Sequence, residues 1–151
     1  HIINMINSIK KNPEIDSWNS ISNILSEKDL VEKNIVKAAI NENNKILYCF
    51  RRSPSFAEHS NQFKYIKKIQ GLIGFRKEIL SELSFLKAPN CEVIESIEQL
   101  RIISHGFNLY GVPQKDQVPS INNKSDLDEF YYFLESNKNE YKITKNIILN
   151  K

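Results

Sequence analysis

Ile2, Ile3, Met5, Ile6 and Ile9 recur at three- and four-residue spacing, and Pro13 closes the run, so the chain is expected to open on a short helix. From Ser17 to Leu25 the pattern changes to alternation: Trp18, Ser20, Ser22 and Ile24 share one parity, Ile21 and Leu25 the other. That period predicts a strand, followed by a turn of helix from Glu27 to Glu32 behind a Ser26 cap. Ile35 to Ile40 and Lys45 to Phe50 are two β-rich runs joined by Asn41-Glu42-Asn43-Asn44. Asparagine tolerates positive φ, so the tetrad predicts a hairpin. Ser53 to Ser60 lacks periodicity and reads as a loop, Phe63 to Phe75 as a long strand interrupted by Gly71 and Gly74, and Arg76 to Leu86 as a helix with Ile79, Leu80 and Leu83 on one face.

Beyond Pro89, Val93, Ile97, Leu100 and Ile103 form one apolar stripe, while Glu92, Glu95, Glu98 and Gln99 fall on the other side. One amphipathic helix from Glu92 to Gly106 is expected, ended by Gly106 in the left-handed conformation with His105 in its last turn. Phe107 to Val112 reads as a strand and Pro113 to Val118 as a polar connection. A final helix, Leu127 to Leu134, opens at Ser125 with Asp128 three residues on. Tyr141 to Leu149 is apolar enough for a further strand or an appended tail. Strands alternating with helices place the chain in the α/β class.

Composition narrows the function classes. At 151 residues with 40% hydrophobic content the chain can bury a core. Its net charge of +3 is a small difference between 21 basic and 18 acidic residues that are intermixed, which argues against a nucleic-acid groove. The densest basic group, Lys64, Lys67 and Lys68 beside Tyr65, suits a solvated strand edge or an anion contact. Cys49 and Cys91 are far apart, and three scattered histidines give no metal-ligand spacing, so a reduced, cytoplasmic setting is expected. No run approaches the roughly 20 apolar residues needed to cross a bilayer. The first residue, His1, points to an excised or tagged piece.

Order along the acidic helix is more specific than its amphipathicity. Glu95-Ser96-Ile97-Glu98-Gln99-Leu100-Arg101, three residues, then His105-Gly106 resembles the signature helix of the sugar-activating cytidylyltransferases, and most closely that of the 3-deoxy-manno-octulosonate cytidylyltransferase (CMP-Kdo synthetase) family. Four further segments are similar in the same order. Asn34-Ile35-Val36-Lys37 with Lys45 to Tyr48 and Arg51-Arg52-Ser53-Pro54 looks like the family's Asn-Val-Val-Lys and Leu-Tyr-Phe-Ser-Arg passage. Gly71 to Arg76 resembles its Gly-Ile-Tyr-Gly-Phe-Arg turn, Ile121 to Leu127 its Val-Asp-Thr-Pro-Glu-Asp-Leu, and Ile2 to Asn12 the helix after its first metal-binding aspartate. The family's glycine- and arginine-rich phosphate loop and that aspartate have no counterpart here.

The resemblance implies the C-terminal half of a Rossmann-like (GT-A-like) nucleotidyltransferase: a mixed sheet flanked by helices, with a strand or hairpin for homodimerisation. Residues 1–136 correspond to the sugar-binding and dimerisation part, and 137–151 to a tail or the start of another segment. The implied reaction couples CTP to an acidic, Kdo-like sugar, releasing pyrophosphate, with Mg2+ on the triphosphate; this chain alone is expected to be inactive. Glu95, Glu98 and Gln99 are implied to face the sugar, and Arg101 either to pair with them and fix their rotamers or to contact the sugar directly. Arg51, in preference to Arg52, is implied to hold a carboxylate or phosphate. Gln70 is the polar candidate left on the Lys68 to Ile73 strand, where the family's histidine and tyrosine are replaced by aliphatic residues. Asn122 stands where the family has its second magnesium-binding aspartate. Two alternatives remain: a degenerate sugar-binding or dimerisation module without catalysis, and a related nucleotidyltransferase for an acylneuraminate or spore-coat sugar.

Overall fold

The computed structural model describes residues 1–115, 121, 124, 126–139, 141, 142 and 146. They fall in two compact units, His1–Lys115 and Asp116–Lys151. The division lies at the polar connection after Pro113, ahead of the boundary at residue 136 expected from the sequence.

In the first unit, β1 (Ser17–Asn23) has a neighbour on each side and is buried over its first six residues. It runs antiparallel to β4 (Ile66–Phe75) and parallel to β5 (Leu109–Pro113). β4 leads on to β2 (Lys37–Ile40), and β2 pairs with β3 (Ile46–Phe50) in the expected hairpin, giving the order β3-β2-β4-β1-β5. This is a five-stranded mixed sheet flanked by helices, as the α/β reading requires. β4 is continuous through both glycines; the irregularity is a register shift opposite Asn19 and Ile21.

The two faces of β1 carry different cores. On one, Ile21 joins Ala38, Cys49 and Leu109 beneath Leu83 of a helix, α4 (Lys77–Phe85), together with Ile97, Leu100 and Ile102. On the other, Trp18 and Val112 pack on Met5 of α1 (Ile2–Lys11). Arg76 lies 5.1 Å above the Trp18 ring and donates to the carbonyls of Ile15 (2.9 Å) and Asn12 (3.3 Å), so one guanidinium covers the indole and ties down the α1–β1 loop. A third cluster, Ile24, Leu30, Phe50 and Ile66, sits with α2 (Glu27–Val31), whose Ser26 cap accepts from Asp29 N at 3.2 Å; the one-turn α3 (His59–Gln62) packs beside it.

The sheet's outer strands meet at the hairpin turn. Lys45 bridges to Tyr110, and Gly111 N donates to the Asn44 carbonyl at 2.7 Å. Asn44 holds φ 60°, and Asn41 Oδ1 accepts from the backbone of Asn43 and Lys45, so the turn is fixed by its own side chain. A Cβ at Gly111 would lie 2.6 Å from Ile21 Cδ1 and 3.2 Å from the Asn44 carbonyl. Gly111→Ala is therefore expected to lower unfolding free energy by about 1–3 kcal/mol, measured by urea titration.

Lys37 is fully buried, and its ammonium donates to the carbonyls of Glu32 and Ile35 (2.8 Å for the latter). Burial pushes its pKa down to about 8, against which the nearby Glu32 and Asp29 carboxylates act only partly. The sign follows: between about pH 8 and 10.5 the unfolded chain holds this proton and the folded chain does not, so stability rises with pH across that window. Relative to Lys37→Met, the wild-type chain is expected to gain stability from pH 8 to 10.5, read from denaturation midpoints at each pH.

In the second unit, α7 (Asp126–Ser136) forms as expected and ends with Ser136 Oγ donating to the Tyr132 carbonyl at 2.8 Å. Its expected Ser125 cap lies outside the described residues. Beyond α7, Lys138, Asn139, Tyr141, Lys142 and Asn146 are helical, with Tyr141 N donating to the Asn137 carbonyl at 3.0 Å; most of the Tyr141 to Leu149 run, expected as a strand or a tail, lies outside the described residues.

Candidate functional site

The segment expected as one helix is two. α5 (Asn90–Glu95) ends at Ser96 in the left-handed conformation, φ 53° and ψ 53°, and α6 (Gln99–Ser104) starts afresh beyond it. The break re-phases the side chains. Ile97, Leu100 and Ile102 are buried, whereas Val93, expected in the stripe, and Ile94 are exposed. Glu92, expected on the polar side, is 8% exposed. Gly106 does close the second helix at φ 85°.

Arg51 holds the corner. Its Nε donates to the Glu95 carbonyl (2.9 Å), its Nη2 to Ser96 (3.1 Å) and its Nη1 to Lys33 (3.1 Å). A left-handed residue between two helices leaves carbonyls with no intrahelical partner, and a planar guanidinium at the end of β3 reaches several at once. The fork expected to read a substrate anion is thus occupied by main chain. The neighbouring Arg52 is exposed and has no hydrogen bond or ion pair among the described residues.

Arg101 does not pair with Glu95, Glu98 or Gln99, as expected, but with Glu92: its Nε lies 2.8 Å from Oε2 and its Nη2 contacts Oε1. The two residues are nine apart across the break, close enough for a bidentate ion pair. The guanidinium's hydrogen bonds hold the Glu92 carboxyl below the usual carboxylate range, and Glu92 raises the arginine in turn. Cys91 Sγ and Ser104 Oγ, 3.2 Å apart, add a second tie between α5 and α6.

Glu95 is half-buried and Glu98 exposed; neither carboxylate makes a hydrogen bond or ion pair among the described residues, although the Glu98 charge acts on Arg101. Gln99 is anchored. Its Nε2 donates at 2.9 Å to Asn19 Oδ1, on the face of β1 turned to α6. Asn19 is fully buried, a polar residue in the central strand that pattern reading passed over as strand alternation. The tyrosine at position 48 also belongs here: burial first, then the Glu95 carboxylate, pushes its phenol pKa up.

Gln70 is not part of this corner. It shares parity with Leu72 and Gly74, which pack toward α1, and its Oε1 is buried without a hydrogen bond. Ile69 and Ile73 of the same strand face the α4–α6 side and pack on the core. Asn122, the metal candidate, lies outside the described residues, and among those described no three His, Cys, Asp or Glu side chains gather for a metal. An open hollow elsewhere is lined by Glu27, Phe56, His59 and Gln62 and contains none of the expected residues. No helix among the described residues is long and apolar enough to cross a membrane.

The cytidylyltransferase family model matches residues 1–115, the whole first unit. The chain belongs to the cytidylyltransferase family. Among curated cytidylyltransferases it is similar to the 3-deoxy-manno-octulosonate cytidylyltransferase of Fusobacterium nucleatum subsp. nucleatum, at 22% identity over 136 residues, 90% of this chain and 55% of that protein. The enzyme of the same name from Chlorobium limicola is 33% identical over 98 residues, 64% of this chain and 39% of that protein. A solved CMP:2-keto-3-deoxy-manno-octonic acid synthetase complexed with CTP superposes at TM-score 0.78 with 21% identity, covering 89% of this chain and 55% of that one, which establishes the shared cytidylyltransferase fold. The chain spans about half the length of these relatives.

Arg51→Met is expected to cost about 2–4 kcal/mol, since three carbonyls lose a charged donor, while Arg52→Met stays within about 0.5 kcal/mol. Denaturant midpoints of the two variants separate the roles, and Arg51→Lys is expected not to rescue, because one ammonium cannot span three carbonyls in a fork.

Proposed function

We propose that this chain forms the sugar-binding part of an enzyme that couples CTP to an acidic, polyhydroxylated sugar, giving a CMP-sugar and pyrophosphate. The observation that carries the reading is the α5–α6 corner. Glu95, Glu98 and Gln99 lie within five residues at this corner, their acceptor oxygens without hydrogen bonds among the described residues, with the backbone held by Arg51 and the Gln99 side chain by Asn19. Carboxylates suit sugar hydroxyls because each oxygen accepts hydrogen bonds from them. Family membership and the cytidylyltransferase activity named for the relatives supply the reaction class.

In that reaction a sugar hydroxyl oxygen forms a bond to the α-phosphorus, the bond from that phosphorus to the bridging oxygen breaks, and pyrophosphate leaves with the electron pair while the hydroxyl gives up its proton. Such a displacement depends on positioning and charge neutralisation. The part this chain plays is orientation: the acidic corner holds the hydroxylated body of the sugar, and Arg52 is the guanidinium available for its carboxylate. Magnesium would supply charge neutralisation on the triphosphate, and Asn122 is the chain's proposed contribution to holding it, through an amide oxygen.

Ile69 and Ile73 favour a second reading within the same class, in which the acceptor is an acidic sugar other than 3-deoxy-manno-octulosonate. They are turned to core packing, on the strand where the family has polar groups. Homodimerisation is proposed from the family alone.

The test is CTP-dependent pyrophosphate release by the full-length protein that carries this chain, with magnesium and a panel of acidic sugars including 3-deoxy-manno-octulosonate. Turnover with at least one is expected, none from this chain alone. Arg52→Met is expected to raise the sugar KM roughly tenfold with the CTP KM unchanged, the loss of one charge-assisted contact. Absence of turnover across the panel would remove the enzyme reading and leave a binding module.

A further inference from the structure

Asn19 is placed so that the orientation of its amide is forced. Its Nδ2 lies 2.9 Å from the Ser20 carbonyl and 2.8 Å from the Gln70 carbonyl, and carbonyls only accept. Both amide hydrogens are thereby directed at main chain, and Oδ1 is left as an acceptor. The atom 2.9 Å from that Oδ1 must be a donor, so Gln99 presents Nε2 inward. Its Oε1 is turned the other way, makes no hydrogen bond among the described residues, and is not one of the buried unpartnered atoms. Two fixed backbone carbonyls thus decide, through Asn19, which end of the Gln99 amide faces outward.

The neighbours complete the pattern. Glu95 and Glu98 offer only carboxylate oxygens, and the two cations that might have supplied donors are tied elsewhere, Arg101 to Glu92 and Arg51 to three carbonyls. Glu95, Glu98 and the outward end of Gln99 therefore present acceptors, with Arg101, held in its pair with Glu92, and the Tyr48 phenol standing beside them. We propose that Asn19 is a positioning residue that locks Gln99 as an acceptor, making the α5–α6 corner a reader of hydroxyl donors on a polyhydroxylated ligand and a poor seat for its carboxylate. This rests on the sugar-binding reading and sharpens it: the hydroxylated end of the sugar lies against α6, and the carboxylate points away from it.

The lock is read directly, without any ligand, from side-chain amide exchange by NMR in this chain. Gln99 Nε2 protons are expected to show a bonded member exchanging at least about tenfold more slowly than an exposed glutamine, a protection lost in Asn19→Leu. The reading of hydroxyls is tested by titrating the chain with 3-deoxy-manno-octulosonate and with methyl ethers of its hydroxyls, which accept but cannot donate. Wild type is expected to prefer the free sugar by at least about tenfold, and Asn19→Leu, whose Gln99 amide can turn its NH2 outward, to lose most of that preference.

Gln99→Glu provides a second variant on the accessible side, for use if Asn19→Leu does not fold. With an acceptor facing Asn19 Oδ1 the side chain is displaced, so affinity is expected to fall while the preference for free hydroxyls persists. Unprotected Gln99 protons, equal affinity of wild type for both ligands, or affinity for neither overturns the proposal. Failure of the enzyme reading is seen separately, as absence of CTP-dependent turnover in the full-length protein while the lock and the hydroxyl preference stand.

Discussion

The guanidinium of Arg51 is the contact on which the rest of the site depends. A helix that stops at Ser96 in the left-handed region exposes the carbonyls of Glu95 and Ser96, and each would carry a desolvation cost if buried without a donor. Arg51 donates to both and, with its third nitrogen, to the Lys33 carbonyl in the loop before β2. The end of β3, that loop and the α5–α6 corner thereby become one rigid piece. Lys37 closes the same loop from inside, donating to the Glu32 and Ile35 carbonyls. Arg51 and Lys37 thus both stabilise main-chain oxygen, as Arg76 does beside α1, and neither of the two is available as a counter-charge for a ligand.

That use of cations sets the electrostatics of the corner. Glu92 is neutralised within the protein by Arg101, so its charge does not add to the wall, while Glu95 and Glu98 make no ion pair among the described residues. An anionic ligand is repelled by this pair except where it turns hydroxyls toward them. The free guanidinium of Arg52, one residue past Arg51, is the nearest sequence neighbour able to compensate. Selectivity in such a corner comes from the geometry of acceptors, not from net attraction.

Local signals in the sequence carried over to the structure because their causes are local. Asn41 and Asn44 make the hairpin turn with their own side chain and φ, Ser26 caps its helix three residues on, and Gly106 takes the positive φ that ends α6. The break at Ser96 had no such signal, since the group that stabilises it comes from Arg51, 45 positions earlier. A stripe of Val93, Ile97, Leu100 and Ile103 presumes 100° of rotation per residue throughout, and one left-handed residue resets that rotation. This is why Val93 is exposed and Glu92 buried. Asn19 was legible only as a polar residue in a strand otherwise destined for burial. Its partner, Gln99, lies 80 positions away, so neither role could be read from spacing.

Ile69 and Ile73 have their own consequence for the corner. Both side chains pack on the cluster that holds Leu100 and Ile102, so the β4 wall beside α6 presents apolar area to that helix. Buried apolar area is non-directional: it fixes the helix on the sheet but cannot discriminate one hydroxyl from another. Directional recognition on this side must then come from groups whose orientation is set by hydrogen bonds. Gln99 is set through Asn19, and the main chain around Glu95 is set through Arg51. The polar residues of the central strand are therefore not incidental to a core that could have been apolar throughout; an apolar residue at position 19 would pack as well and leave the amide of Gln99 free to face either way.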